Sequence, residues 1–148
     1  MRAGDLVLDL GAGDGALTRP LLDAGARVLA VELHPGRAAA LRRRFADAPV
    51  TVVTHDLAEL RLPRRPFRVV ASPPYQLSTR LVRTLLGTDR LLSADLVLQR
   101  SAAARLADEP PGGRHARRYL LGVGQAVPRH AFRPPPRVDS AVLQVRRR

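Results

Sequence analysis

Two short segments of the sequence carry the residue types best suited to chemistry. The first is DLGAGDG at residues 9–15, and the second is SPPY at residues 72–75. Glycines between a strand and a helix let the backbone pass close to a ligand. Prolines fix the direction of neighbouring carbonyl groups, and Tyr75 offers an aromatic face for stacking. The pair predicts a ligand site next to a site for a planar group.

The glycine segment favours a nucleoside cofactor that has no phosphates. Its glycines are spaced GxGxG, whereas dinucleotide-binding turns use GxGxxG and bring a helix amino terminus onto a pyrophosphate. S-adenosylmethionine lacks phosphates and has a cationic amino acid end, which acidic residues suit. Glu32 is placed to hold ribose hydroxyls, and Asp56 to accept from the adenine amine. The predicted cofactor-binding residues are Asp9, Gly11, Gly13, Glu32, Leu33, Asp56, Leu57 and Ser72.

Each of these residues also has a purely structural interpretation. The glycines could form only a tight turn, Glu32 could cap the following helix, and Asp56 could be a solvated loop residue. Their positions at the ends of successive strands favour the cofactor site. Asp14, His34 and Arg37 could line the same pocket, but for these three we expect a solvated surface.

The SPPY segment suits methylation of an amino group conjugated to a base or an amide. Such an amine has a delocalised lone pair, and it attacks a methyl group poorly until hydrogen-bond acceptors draw it toward tetrahedral geometry. The Ser72 side chain and the Pro73 carbonyl could accept from it, and Tyr75 and Phe132 could stack on the two faces of a flipped base. The predicted catalytic residues are Ser72, Pro73, Pro74, Tyr75 and Phe132.

The elements that must position these residues alternate in type along the chain. Apolar runs predict strands at residues 5–10, 27–32, 49–54, 67–71, 94–99, 119–127 and 140–145. Helical segments are predicted at residues 15–24, 37–45, 79–86 and 101–107, and a mobile loop rich in Pro, Gly and Arg at residues 108–118. Alternation of this kind is typical of an α/β domain with a mostly parallel sheet.

Charge is the strongest signal in the composition. The chain of 148 residues has 25 basic and 13 acidic residues, a formal net charge of +12, and all of the basic residues are arginine. Polyanions are the natural partners of such a chain. Lys, Ile and Asn are absent, so a GC-rich genome could also explain the choice of arginine. The excess of charge itself favours a nucleic acid partner.

Other classes of protein receive no support from the sequence. There is no cysteine, so a disulfide framework is excluded, and no apolar run is long enough to cross a membrane. The four histidines lack metal-ligand spacing, and we expect no metal. We expect a single domain over residues 1–148, a cytoplasmic location and a monomer.

Several segments together resemble the ribosomal RNA adenine dimethyltransferase family, which includes the Erm macrolide-resistance enzymes. They are DLGAGDGALT, VELHP, SPPY, DLVLQRSAAARLADEP and the tail FRPPPRVDSAV. The resemblance implies a Rossmann-like class I S-adenosylmethionine-dependent methyltransferase, with a mostly parallel seven-stranded sheet and an antiparallel strand near the carboxyl end. It also implies methylation of an adenine amine in ribosomal RNA, with 23S favoured over 16S, and a role in antibiotic resistance.

The chain departs from the family pattern at Ser72, where Asn is usual. We expect no helical carboxyl-terminal domain of the kind that longer members have, and therefore expect RNA contacts from arginines of the catalytic domain itself. These are Arg42, Arg43, Arg44, Arg64, Arg65, Arg114, Arg117 and Arg118, with Arg146 to Arg148 as further candidates. Alternatives are a DNA or glutamine amino-methyltransferase, which shares the Pro-Pro-Tyr turn, and a ribosomal RNA-binding or assembly protein with impaired catalysis.

Overall fold

Seven strands form one mixed sheet in the computed structural model, which describes residues 1–131 and 135–148. The strands are β1 (Leu6–Leu10), β2 (Arg27–Glu32), β3 (Val50–Thr54), β4 (Phe67–Ala71), β5 (Leu91–Gln99), β6 (Tyr119–Val127) and β7 (Ser140–Arg147). Their order is β3-β2-β1-β4-β5-β7-β6; β7 runs antiparallel to both β5 and β6, and the other described pairs are parallel. The predicted α/β class and the antiparallel strand near the carboxyl end are confirmed.

Helices cover both faces of the sheet, which explains why β1, β2 and β4 are almost wholly apolar. The helices are α1 (Thr18–Asp23), α2 (Pro35–Arg44), α3 (Ser78–Leu86), α4 (Arg100–Asp108) and α5 (Gly113–Ala116). Leu8 and Leu10 of β1 join a core with α3 and α4, whereas Val7 joins a second core with α1 and α2. Over the described ranges, no helix is long and apolar enough to cross a membrane.

Several element boundaries differ from the prediction by one to three residues, and three of these differences have clear local reasons. The first helix begins at Thr18, because Gly15 has a φ of +91° and the turn continues past it. The second begins at Pro35, since proline suits the first helical position and the His34 Nδ1 accepts from the Arg37 N–H at 3.3 Å. The fifth strand begins at Leu91.

The early start of β5 depends on a polar residue that is buried rather than exposed. Ser93 interrupts the apolar run, but its hydroxyl accepts a hydrogen bond of 2.9 Å from Arg68 on β4. Arg68 in turn pairs with Asp5 at 3.1 Å. Satisfied polar groups of this kind do not end a strand.

The prediction of a loop at residues 108–118 is wrong for Asp108, which is the last residue of α4, and for four residues further on. Gly113–Ala116 form the single turn of α5, which follows Gly112 in a left-handed conformation, φ +109°. The Ala116 side chain is buried in the core beside Tyr119. The buried Ala116 side chain therefore attaches this segment to the core, which its high content of Pro, Gly and Arg did not indicate.

Gly15 holds the glycine turn tightly against α2. A Cβ at this position would lie 2.8 Å from Phe45 Cε2 and 3.2 Å from Leu41 Cδ2. The Phe45 ring is itself fixed, because it is buried and the guanidinium groups of Arg19 and Arg44 lie 4.9 and 5.2 Å from its centroid. Both the positive φ and the lack of space require glycine here.

We expect Gly15→Ala to lower the free energy of unfolding by about 2 to 4 kcal/mol, as the sum of left-handed strain and overpacking. Urea denaturation measures the change. Gly4→Ala is the matched control, because Gly4 has a similar φ of +82° and nothing lies within 4 Å of its added Cβ. The control should lose only about 1 kcal/mol, from strain alone. Equal losses in the two variants would contradict the packing role of Gly15.

Candidate active site

The glycine turn and the SPPY turn lie side by side at the carboxyl ends of β1 and β4. Gly11 has a φ of +77°, and a Cβ added to it would lie 3.7 Å from the Ser72 carbonyl oxygen and 3.8 Å from Pro73 Cα. The N–H groups of Gly11 and Ala12 donate to the Val31 carbonyl at 2.9 and 3.1 Å. An added Cβ would therefore make only ordinary contacts, and it is the positive φ that favours glycine here. The two turns meet next to a crevice of the kind in which α/β sheets bind ligands.

A buried carboxylate holds the glycine turn in place. Glu32 Oε1 accepts from the Gly13 N–H at 2.9 Å, and Oε2 accepts from the His34 N–H at 2.8 Å. Its side chain therefore ties the turn after β1 to the turn after β2. Each carboxylate oxygen can accept more than one hydrogen bond, so Glu32 keeps capacity for a ligand.

Asp56 is fixed at the end of β3 in a related way. Its Oδ1 accepts from the Ala58 N–H at 2.9 Å and caps the short 3-10 turn Leu57–Glu59. The other carboxylate oxygen makes no hydrogen bond to the residues that the structure describes. Asp56 thus caps the 3-10 turn with one carboxylate oxygen, and its other oxygen is available to a ligand.

These turns enclose a cavity of about 680 Å³. Seven of the eight predicted cofactor-binding residues line it, namely Gly11, Gly13, Glu32, Leu33, Asp56, Leu57 and Ser72, and so do Pro73 and Pro74. His34 and Arg37 line it too, and both are exposed, as expected of a solvated surface. Pro35 and Leu77 also line it, although neither was predicted as a site residue; Pro35 ends the VELHP segment and Leu77 lies two residues after SPPY.

Asp9, the eighth predicted cofactor-binding residue, does not line the cavity. It is fully buried on β1, where its Oδ2 accepts from the Thr18 hydroxyl at 2.6 Å. Its Oδ1 has no partner among the described residues. Burial raises the pKa of the Asp9 carboxyl to about 6, and the Thr18 hydrogen bond opposes this only in part.

The SPPY turn is fixed at its far end by the tail of the chain. Tyr75 is half-buried and does not line the cavity, and its hydroxyl lies 2.5 Å from Ser140 Oγ on β7. Ser140 is fully buried, and its strand pairs with both β5 and β6. The antiparallel strand thus holds the aromatic ring that follows the two prolines. Sequence reasoning did not single out Ser140, although it lies in the VDSAV motif.

The second predicted stacking residue, Phe132, lies outside the described residues, and its role stays a prediction. The described residues on either side of Phe132 are joined by an ion pair and a hydrogen bond. Arg129 pairs with Asp139 at 3.1 Å and donates to the Arg137 carbonyl at 2.9 Å.

Comparison with known proteins identifies the family. All 148 residues match the family model described as ribosomal RNA adenine dimethylase. The chain belongs to the ribosomal RNA adenine dimethylase family. Its relatives include an rRNA adenine N-6-methyltransferase of Corynebacterium diphtheriae, 34% identical over 145 residues, which covers 95% of this chain and 57% of the relative. The mycinamicin-resistance protein MyrB of Micromonospora griseorubida is 38% identical, over 96% of this chain and 47% of MyrB.

Other members of the family act in the small subunit according to their names. Ribosomal RNA small subunit methyltransferase A of Thermosynechococcus vestitus is 37% identical over 99% of this chain and 60% of its own length. Among solved structures, the 23S rRNA methyltransferase ErmE superimposes with a TM-score of 0.88 at 31% identity, over 100% of this chain and 63% of ErmE. The chain therefore spans about half to three fifths of the curated relatives that it matches.

The arginines predicted to bind RNA lie on several separate surfaces, and some already have partners. Arg42 donates to the Val52 carbonyl at 3.1 Å, and Arg44 donates to the Asp14 carbonyl at 2.7 Å, next to the glycine turn. Arg146 pairs with Asp95 at 2.8 Å. Arg43, Arg64, Arg65, Arg114, Arg117 and Arg118 are exposed. Among the described residues, no cluster of His, Asp and Glu could hold a metal ion.

The raised pKa of Asp9 predicts how stability depends on pH. The folded chain holds a proton on Asp9 up to about pH 6, whereas the unfolded chain releases it near 3.8, so stability falls as the pH rises between these values. Asp9→Asn removes this contribution. The difference in unfolding free energy, wild type minus variant, should decrease by up to about 3 kcal/mol from pH 4 to pH 7 in urea denaturation. A difference that stays constant over this range would contradict the assignment.

The bond between Tyr75 and Ser140 predicts an energetic coupling of about 1 kcal/mol. Tyr75→Phe, Ser140→Ala and the double variant form a thermodynamic cycle that urea denaturation can measure. Each single variant should lose stability, and the double variant should lose less than the sum, because the second change removes a partner that is already absent. Strict additivity would show that the hydroxyl contact contributes nothing.

Proposed function

We propose that this chain uses S-adenosylmethionine to methylate the exocyclic amino group of an adenine in ribosomal RNA, with residues 1–148 forming the methyltransferase catalytic domain. The observation that carries the proposal is that one cavity joins the glycine turn, Glu32 and Asp56 to the Ser72-Pro73-Pro74 turn. A site for a nucleoside cofactor and a site for an amine acceptor are thereby contiguous, as a direct transfer requires.

The donor set fits a nucleoside without phosphates. A pyrophosphate would need the free N–H groups of the glycine turn, but the Gly13 N–H is already donated to Glu32. The acceptor capacity left on Glu32 suits ribose hydroxyls, and the free oxygen of Asp56 suits an adenine amine. When bound, S-adenosylmethionine supplies a methyl group on a positively charged sulfur.

The SPPY turn is suited to activate the target amine. The Ser72 hydroxyl makes no hydrogen bond to the described residues, and Pro74 restricts the backbone of the buried Pro73 and with it the direction of the Pro73 carbonyl. In this proposal both groups accept from the adenine amine and draw its lone pair toward the methyl carbon. Tyr75 and Phe132 stack on the base, which holds it in the geometry for attack.

The transfer then needs no general base. The amine nitrogen would accept the methyl group that bound S-adenosylmethionine supplies, with the demethylated cofactor as leaving group, and would then release its extra proton to water. Orientation and electrostatics supply most of the acceleration in this scheme. The absence of a histidine from the SPPY turn is consistent with it.

Within ribosomal RNA we favour 23S over 16S as the target, with resistance to macrolide-type antibiotics as the consequence. Support comes from ErmE, named as a 23S rRNA methyltransferase, and from MyrB, named as a mycinamicin-resistance protein. The small subunit methyltransferase of T. vestitus is of similar identity and makes 16S the second candidate.

We expect Tyr75→Ala to reduce methyl transfer from tritiated S-adenosylmethionine to 23S RNA by about a hundredfold, because the base loses its stacking surface and its orientation. Cofactor affinity, measured by calorimetry, should stay within about twofold of the wild type, since Tyr75 does not line the cofactor cavity. Primer extension on the product locates the methylated adenine.

The RNA used as acceptor separates the candidate functions. Incorporation into 16S RNA alone would move the target to the small subunit. RNA binding with no incorporation into either RNA would overturn the enzymatic proposal in favour of a binding or assembly role.

A further inference from the structure

A second cavity, of about 430 Å³, lies at the amino ends of β2 and β3, on the edge of the sheet opposite the cofactor cavity. Three arginines line it: Arg27 at the start of β2, and Arg61 and Arg65 on the segment between the 3-10 turn and β4. Its apolar wall includes Leu29 and Leu62. The cavity is large enough for a ligand the size of a small molecule.

The charges of this cavity are uncompensated. Among the described residues that line it there is no carboxylate, and the side chains of Arg27, Arg61 and Arg65 make no ion pair or hydrogen bond to the described part of the chain. Some other arginines do have a counter-charge, since Arg68 and Arg146 each pair with an aspartate. Like charges placed around one cavity repel each other, and a bound anion would relieve that repulsion.

The arginines are also mounted on restrained backbone. Pro63 and Pro66 restrict the segment that carries Arg61 and Arg65, and Leu62 between them packs against the main core. Arg27 is held by the pairing of β2 with β1 and β3. A preformed arrangement of this kind loses little backbone entropy when it binds.

The position excludes a role in holding the target base. Arg27 and Glu32 lie at opposite ends of β2, about 17 Å apart at 3.3 Å per residue. A ligand at the three arginines therefore cannot reach the SPPY turn through the same nucleotide. It must belong to another part of a large substrate, or to another molecule.

We propose that this cavity binds backbone phosphates of the RNA substrate at a segment distant from the target adenine. The choice of RNA as the partner rests on the function proposed above. The present proposal adds a second RNA contact surface to that function. Guanidinium groups match phosphate geometry, and an apolar wall concentrates the field of like charges in a cleft. The cavity anchors long RNA and leaves the chemistry at the other edge of the sheet unchanged.

The test compares the triple variant Arg27→Gln, Arg61→Gln and Arg65→Gln with the wild type, by fluorescence anisotropy. Two RNAs are used: a short hairpin with the target adenine, and a longer ribosomal RNA fragment that contains the same hairpin. The variant should bind the long fragment roughly tenfold more weakly, and its slope of log affinity against log salt should be smaller by about 2 to 3. Affinity for the hairpin and for S-adenosylmethionine should not change.

A matched control removes three exposed arginines that lie away from both cavities, Arg83, Arg90 and Arg105. It should bind both RNAs within about twofold of the wild type. If the control variant bound the long fragment as weakly as the triple variant, the effect would come from net charge alone and the site would be overturned. A triple variant that binds the long fragment as tightly as the wild type would also overturn it. Methylation of the hairpin is scored separately, so failure of the enzymatic proposal is distinguishable from failure of this one.

Discussion

The site depends above all on the two hydrogen bonds that the buried Glu32 carboxylate accepts. One comes from the Gly13 N–H and one from the His34 N–H, so a single side chain links the turns that follow β1 and β2. Other contacts hold each turn locally, such as the Gly11 and Ala12 N–H groups at the Val31 carbonyl, but the Glu32 side chain joins the two turns to each other. The first of these bonds occupies the Gly13 N–H, which a phosphate would otherwise use as a donor. The Glu32 oxygens can still accept further hydrogen bonds from ligand hydroxyl groups. Architecture and ligand preference therefore have one physical origin.

The order of the strands explains why the cofactor half and the target half of the site meet. β1 lies between β2 and β4, so the glycine turn is next to Glu32 on one side and next to the SPPY turn on the other. This is the position in open α/β sheets where neighbouring connections leave on opposite faces and open a crevice. The positive φ of Gly11 then shapes the turn that passes beside the Ser72 carbonyl.

The antiparallel strand gives the tail of the chain a place in the site. β7 returns between β5 and β6 and brings Ser140 to the Tyr75 hydroxyl, 65 residues away in sequence.

The fold also gives the many arginines different surroundings. Some arginines brace the structure, as Arg44 does at the Asp14 carbonyl, whereas Arg27, Arg61 and Arg65 surround a cavity without carboxylates.

The sequence by itself determined the α/β class, most strands and the cavity residues that belong to local motifs. These depend on short-range patterns: apolar runs for β1 and β4, and the turn residues of the glycine and SPPY segments. What only the tertiary structure decided are properties that depend on distant neighbours. Asp9 lies in the glycine motif but is buried against Thr18, Tyr75 is held by Ser140, and His34 and Arg37 face the cavity. Burial and partners are set by packing across the sheet, and a linear pattern does not contain that information.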